Sequence, residues 1–337
     1  MYKDRKKLYS LVEKKRKRPL ITYVTSIRNS MEGRMAQDVI PEFINQLENI
    51  DEKEKSVDLL IISNGGDPIV SWRIISMLRE RFDNISVLIP YKAFSSATML
   101  SLGADEIIMH PYANLGPIDL QINYKNDKGE NKSISYEDIL KYFDFANKID
   151  LNDKDKAFEK LTDEIPATLI GFAQRSHNLE FKLGEKLLAT HENDKNKINK
   201  ILNILNAEFY HHGYPLGRSE AKEIGLNVIY PDKELEKIIW DIYIDFMNEY
   251  NFNEVFDRER FLLDNILNIK DLPQGNNTIV CEYKIASLES ININSYINEK
   301  IIANFSLNNK NINLDKNFKI KPGSWKMEKG EKNVTSK

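Results

Sequence analysis

The chain has 337 residues, with 48 Lys and Arg against 51 Asp and Glu, a formal net charge of −3. Hydrophobic residues, 41% of the total, are enough for a buried core and exclude wholesale disorder. The single cysteine, Cys281, excludes a disulfide scaffold and a multi-cysteine metal site, and the near-balanced charge argues against a dedicated nucleic-acid binder.

Residues 1–18 carry nine basic side chains against Asp4 and Glu13, a local charge of +7 that leaves the remainder near −10. Leu8, Leu11 and Val12 give this segment a short apolar face. It is expected as a basic N-terminal arm, either packed on the fold or touching an anionic membrane surface. It lacks the apolar core of a signal peptide, and no stretch of the chain approaches the roughly 20 apolar residues of a membrane helix. A cytoplasmic location is the expectation.

From Pro19 onward, strand and helix signals alternate. Strands are expected at residues 21–25, 57–62, 85–90 and 106–109. Helical periods fall between them at 35–50, 70–82 and 95–103. Such alternation predicts an α/β fold with a largely parallel sheet and flanking helices. Residues 123–135 read as a polar loop, and 136–209 as charged helices. Residues 210–215 break the pattern, and a long aromatic-bearing helix is expected over 234–250. Beyond this the chain turns Asn-rich and β-branched. It predicts a small β-rich C-terminal unit over 251–326 and a disordered tail at 327–337.

Two strand ends carry the chemistry. One runs into Asn64-Gly65-Gly66-Asp67, the other into Tyr91-Lys92-Ala93-Phe94-Ser95-Ser96. In open α/β sheets, sites lie beyond the carboxyl ends of strands. Glycines let backbone N–H groups approach a ligand, and a hydroxyl at a helix start favours developing negative charge. Acyl transfer needs such a nucleophile and such donors. The structural alternative is an ordinary Gly-Gly turn and a serine that caps a helix. His177 and His191 lack carboxylates at ligand spacing, and no phosphate or dinucleotide motif is present, so no metal or cofactor is expected.

The blocks Ser63-Asn64-Gly65-Gly66-Asp67, residues 93–109 and Leu115-Gly116-Pro117-Ile118-Asp119-Leu120-Gln121 resemble the serine dehydrogenase proteinase family. These are Clp-fold serine proteinases related to the Clp protease subunit and signal peptide peptidase A. The resemblance spans roughly residues 19–243, including a later His-containing turn at 210–215. It implies a ClpP/crotonase-like fold over 19–250. It implies Ser95 as nucleophile, Gly66 and Ser96 as backbone oxyanion donors, and Gly65 as the turn that aims Gly66. A substrate strand would pair beside the Gly-Gly segment. The sequence departs from relatives at Ala97, where many have Gly, and at Phe94, where some have Lys.

The base is open at this level, with His212 first and Lys132 as the alternative. His110, His211, Lys92 and Lys125 are further candidates, and Asp119 could orient a base. The expected function is a serine peptidase acting on protein or peptide, as a homo-oligomer. The rival readings are a catalytically impaired scaffold of the same fold and a crotonase-like acyl-CoA enzyme.

Overall fold

A computed structural model describes residues 1–119, 121–126, 129–148, 154–208, 211, 213–269, 272–308 and 311–329. The helices are α1 (Tyr2–Arg16), α2 (Ile40–Glu48), α3 (Pro68–Arg79), α4 (Ser96–Leu102), α5 (Tyr136–Lys148), α6 (Lys154–Glu164), α7 (Ala167–Leu188), α8 (Lys195–Asn203), α9 (Arg218–Glu223), α10 (Lys233–Tyr250) and α11 (Arg258–Leu267).

The main sheet has the order Val228–Ile229, Glu106–Met109, Asn84–Ile89, Ser56–Ile62, Leu20–Thr25, Gly275–Glu289, Ile293–Asn308, Asn311–Leu314. The first five strands pair in parallel, as the alternating pattern predicts. They are apolar on both faces because helices cover both. Ile21, Tyr23, Leu59, Ile61, Val87 and Ile89 pack toward α2, α3, α4 and α7. Leu20, Val24, Leu60, Ile62, Leu88 and Ile108 pack toward α1, α10 and α11. A side-chain period of two thus splits each strand between two cores.

Several elements depart from expectation. The helical period read from residue 35 begins late: Gln37–Val39 is a 3₁₀ turn, and α2 starts at Ile40. Pro41 suits the first turn, where its missing N–H costs nothing. The polar stretch read as a loop forms a hairpin of Ile122–Lys125 with Asn131–Ile134. The C-terminal β-rich segment extends the main sheet, because Gly275–Glu289 pairs antiparallel with Leu20–Thr25 in the register Thr22 to Glu289. Residues 327–329, read as tail, lie in the strand Trp325–Lys329 and pair with residues 293–295. The rest of that tail, 330–337, lies outside the described residues.

The basic segment folds as α1 against α10, with much of its charge engaged inside the protein. Arg5 is buried and bonded to Asp245, Glu249 and Glu289. Lys15 pairs with Asp232 and Glu234, and Arg16 with Asp58 at 2.9 Å. Among the described residues, no helix is long and apolar enough to cross a membrane.

Candidate active site

The strand Asn84–Ile89 leads through Lys92–Ala93 into α4. Ser95, at the joint, has φ 53° and ψ −118°. Non-glycine residues rarely hold such a conformation, at a cost of about 1–3 kcal/mol. Local bonds hold it in place: the Ala97 N–H donates to Phe94 O at 2.9 Å and the Met99 N–H to Ser95 O at 3.0 Å. Ser95 occupies the N-cap of α4, yet its side chain makes no capping bond. Its half-buried hydroxyl has no hydrogen bond within the described residues. The capping alternative therefore does not account for this serine.

The strand Ser56–Ile62 delivers Gly65 and Gly66 to the same place. Gly65 has φ 99°, and a Cβ there would lie 2.8 Å from the Ser95 Cβ and 2.9 Å from the Ser96 nitrogen. Only glycine permits both the turn and the approach. Gly66 forms a parallel bridge with Met35. The Met35 N–H donates to Gly65 O at 2.9 Å, and the Asp67 N–H donates to Met35 O at 2.8 Å. In a parallel bridge, the residue between those two bonds turns its own N–H and C=O to the opposite side. The Gly66 C=O accepts the Ser96 hydroxyl at 2.6 Å. Among the described residues, neither the Gly66 nor the Ser96 N–H has a protein acceptor.

Buried hydroxyls tie these segments together. Ser63 Oγ accepts the Gly65 N–H at 2.9 Å and lies 2.8 Å from Thr25 Oγ1. Ser71 Oγ donates to Ser96 O at 2.5 Å. Thr98 Oγ1 lies within donating distance of both Ala93 O and Gly116 O. Ser96 is buried with its hydroxyl committed to Gly66, which makes it a poor competitor for the nucleophile role. The sequence signals Gly65, Gly66 and the two serines. It gives no sign of Met35 as a strand partner, or of Thr25 and Ser71 as props, because these lie 30 or so positions from what they hold.

Ser95 opens into a cleft of about 710 Å³, lined also by Glu32, Arg34, Gly66, Lys92, Gln121 and Asn123. The candidate bases separate here. Lys132 sits opposite Tyr124 in its hairpin, whereas Asn123, which lines the cleft, sits opposite Ser133. Strand alternation puts Lys132 on the face away from Ser95, where it pairs with Glu130 at 3.5 Å. His110 stacks on Trp240 at 4.7 Å, and its Nδ1 accepts the Tyr112 N–H. Burial lowers the pKa of its imidazole. His211 is exposed and accepts the Gly213 N–H. His212 lies outside the described residues, though its neighbour Gly213 lines the cleft. Asp119 accepts from Gln121 at 3.1 Å and borders a separate small pocket with Tyr136, His177 and Glu180. Lys92, three residues before the serine, lines the cleft itself.

A doubly covered α/β sheet with a strained serine beside a Gly-Gly turn defines a ClpP-like class of protein. The sequence matches the family described as ClpP-like SDH-type serine proteinase over residues 42–243, more than half of the chain. The chain belongs to this family. Two relatives in Methanocaldococcus jannaschii, uncharacterized proteins MJ0137 and MJ1495, are 28% and 29% identical over 176 residues. That match covers 52% of this chain in each case. The chain spans about half the length of each, 54% and 53% respectively.

Among solved structures, a mutant of the 1510-N membrane-bound stomatin-specific protease aligns with TM-score 0.39 at 13% identity, over 66% of this chain and 84% of its own. ClpP1 from Listeria monocytogenes aligns at 0.34 and 14% identity, over 64% and 94%. A probable enoyl-CoA hydratase/isomerase from Mycobacterium abscessus aligns at 0.33 and 15%, over 76% and 82%.

Proposed function

We propose that this family member is a serine peptidase. Ser95 attacks a peptide carbonyl, the Gly66 and Ser96 N–H groups hold the oxyanion, and water releases the acyl-enzyme. One observation carries the reading. Ser95 is held at positive φ, at the head of a helix it does not cap, and among the described residues its hydroxyl and the Gly66 and Ser96 N–H groups have no hydrogen-bond partner. Strain of this kind persists where the surroundings enforce it, and a nucleophile presented on a strand-to-helix turn is one reason for enforcing it. Met35 already takes the Gly65 C=O and the Asp67 N–H. A substrate strand therefore meets the Gly-Gly segment on its Ser95 side.

The reading includes a homo-oligomer, for which Phe145, Phe158 and Phe172, exposed on α5, α6 and α7, offer apolar surface. Sedimentation velocity checks it, and a monomer at all concentrations removes that part.

Labelling with a fluorophosphonate probe tests the chemistry. The wild type should label and Ser95→Ala should not. Equal labelling of the two would sink the proposal, and complete loss in Ser96→Ala with retention in Ser95→Ala would transfer the nucleophile to Ser96.

A further inference from the structure

Resting on the peptidase reading, we infer that Lys92 is the general base of Ser95. Among the described residues, it is the single Lys or His side chain lining the cleft into which Ser95 opens. Arg34 also lines it, but a guanidinium does not give up its proton. The short strand that carries Lys92 is fixed from two sides. The Ser63 N–H donates to Lys92 O at 2.9 Å, and Lys92–Ala93 pairs in parallel with Asn114–Leu115. The start of the side chain is thus anchored on the same short segment as the serine. Among the described residues no carboxylate lies within ion-pair distance of its ammonium, which rests 4.4 Å from the centre of the Phe94 ring.

The side chain of Lys92 reaches Ser95 by rotating off that ring. Four rotatable bonds permit this, and catalytic hydrogen bonds in a substrate-free site are often unmade. The proton balance is simple. Neutral Nζ takes the Ser95 hydroxyl proton as Oγ bonds to the carbonyl carbon. The resulting ammonium gives that proton to the leaving amine as the C–N bond breaks. It then repeats the cycle with water.

Burial shifts Lys92 toward the neutral amine. Burial pushes the Lys92 ammonium below its ordinary range, and Glu32 opposes that shift. The other charged groups facing the cleft are Arg34 and Asp67, the latter occupied as the cap of α3. Phe94 lies beneath the Lys92 ammonium and holds it at the edge of the cleft.

The test pairs kinetics with a direct titration. Labelling rates of Lys92→Met and Lys92→Arg are compared with the wild type over pH, alongside melting curves. Both variants should label at least about 100-fold more slowly. Lys92→Arg keeps a cation over Phe94 and should melt like the wild type. In the wild type the rate should rise with pH, with a midpoint below the ordinary lysine value of 10.5. An NMR titration of ¹³C-methylated lysines should find one resonance, absent in Lys92→Arg, that titrates early.

Wild-type labelling rates in both variants, with loss in His212→Ala, would overturn the role of Lys92 and leave the peptidase standing. An ordinary Lys92 titration would overturn it too. No labelling in the wild type would overturn the peptidase reading and the base role together.

Discussion

At the residue scale, the site depends on what glycine and small hydroxyls can do. A Cβ on Gly66 would fall 2.2 Å from Met35 O, so Gly66→Ala must displace either the bridge or the glycine. Under the proposed mechanism, displacement misaims one oxyanion donor, and the loss of one such donor costs about 10²–10³-fold in rate. Gly66→Ala should therefore label at least 100-fold more slowly while Ser95 is untouched; full-rate labelling would contradict the assignment of that N–H. Ser96→Ala removes the donor to a Gly66 C=O that has turned away from Met35. A carbonyl left without its partner costs about 1–3 kcal/mol, to be read from the urea midpoint. The Gly-Gly pair and Ser95 were legible because their chemistry sits in consecutive residues. The strain at Ser95 was not, since serine carries no sequence mark of a positive φ.

At the element scale, α1 is the clearest case of a pattern read correctly in composition and resolved only by packing. Its +7 left open packing on the fold or contact with an anionic surface, and the partners of Arg5, Lys15 and Arg16 are carboxylates of the chain itself. Arg5 bonds Glu289 at 2.6 Å through Nη2, and Tyr9 reaches the same carboxylate at 2.7 Å. Removing the arginine takes the shared cation from three carboxylates; Asp245 keeps the N-terminal ammonium and Glu249 keeps Lys284, but the buried Glu289 loses its ion pair. Arg5→Met should lower stability by about 3–5 kcal/mol, measured by urea unfolding.

A pH dependence follows from the same group. Burial pushes the Glu249 carboxyl up, but Arg5 and Lys284 together outweigh it and hold it below its ordinary value of 4.5. A carboxyl depressed in the folded state stabilises above its unfolded value and loses that contribution as pH falls through the folded one. Wild-type stability should thus drop on acidification below about pH 4.5, and this part of the drop should shrink in Arg5→Met. The hairpin of Ile122–Lys125 with Asn131–Ile134 teaches the complementary lesson. Spacing alone made Lys132 a candidate base, and one-residue alternation decides that it faces away from the serine.

At the scale of the whole molecule, the C-terminal hairpin completes the sheet. Leu288 joins the core of the α3 and α4 face, while Cys281, Ile301 and Phe305 join that of α10. A chain cut before Gly275 would expose the Leu20–Thr25 strand as an unpaired edge and take away Glu289, the partner of Arg5. It should aggregate on size-exclusion chromatography, whereas a monodisperse, folded truncation would show the hairpin to be dispensable.

The sequence by itself determined the α/β alternation, the parallel strands and the Gly-Gly and Ser-Ser blocks. Each of these is written in local periodicity or in adjacent residues. Tertiary structure alone decided that Met35 bridges Gly66, that the C-terminal strands continue the sheet, and that Lys92 shares the cleft of Ser95. The first two join positions tens to hundreds of residues apart, and the third, only three residues apart, depends on how the turn between Lys92 and Ser95 folds. They depend on strand register and on which face each side chain takes, and local pattern does not encode either.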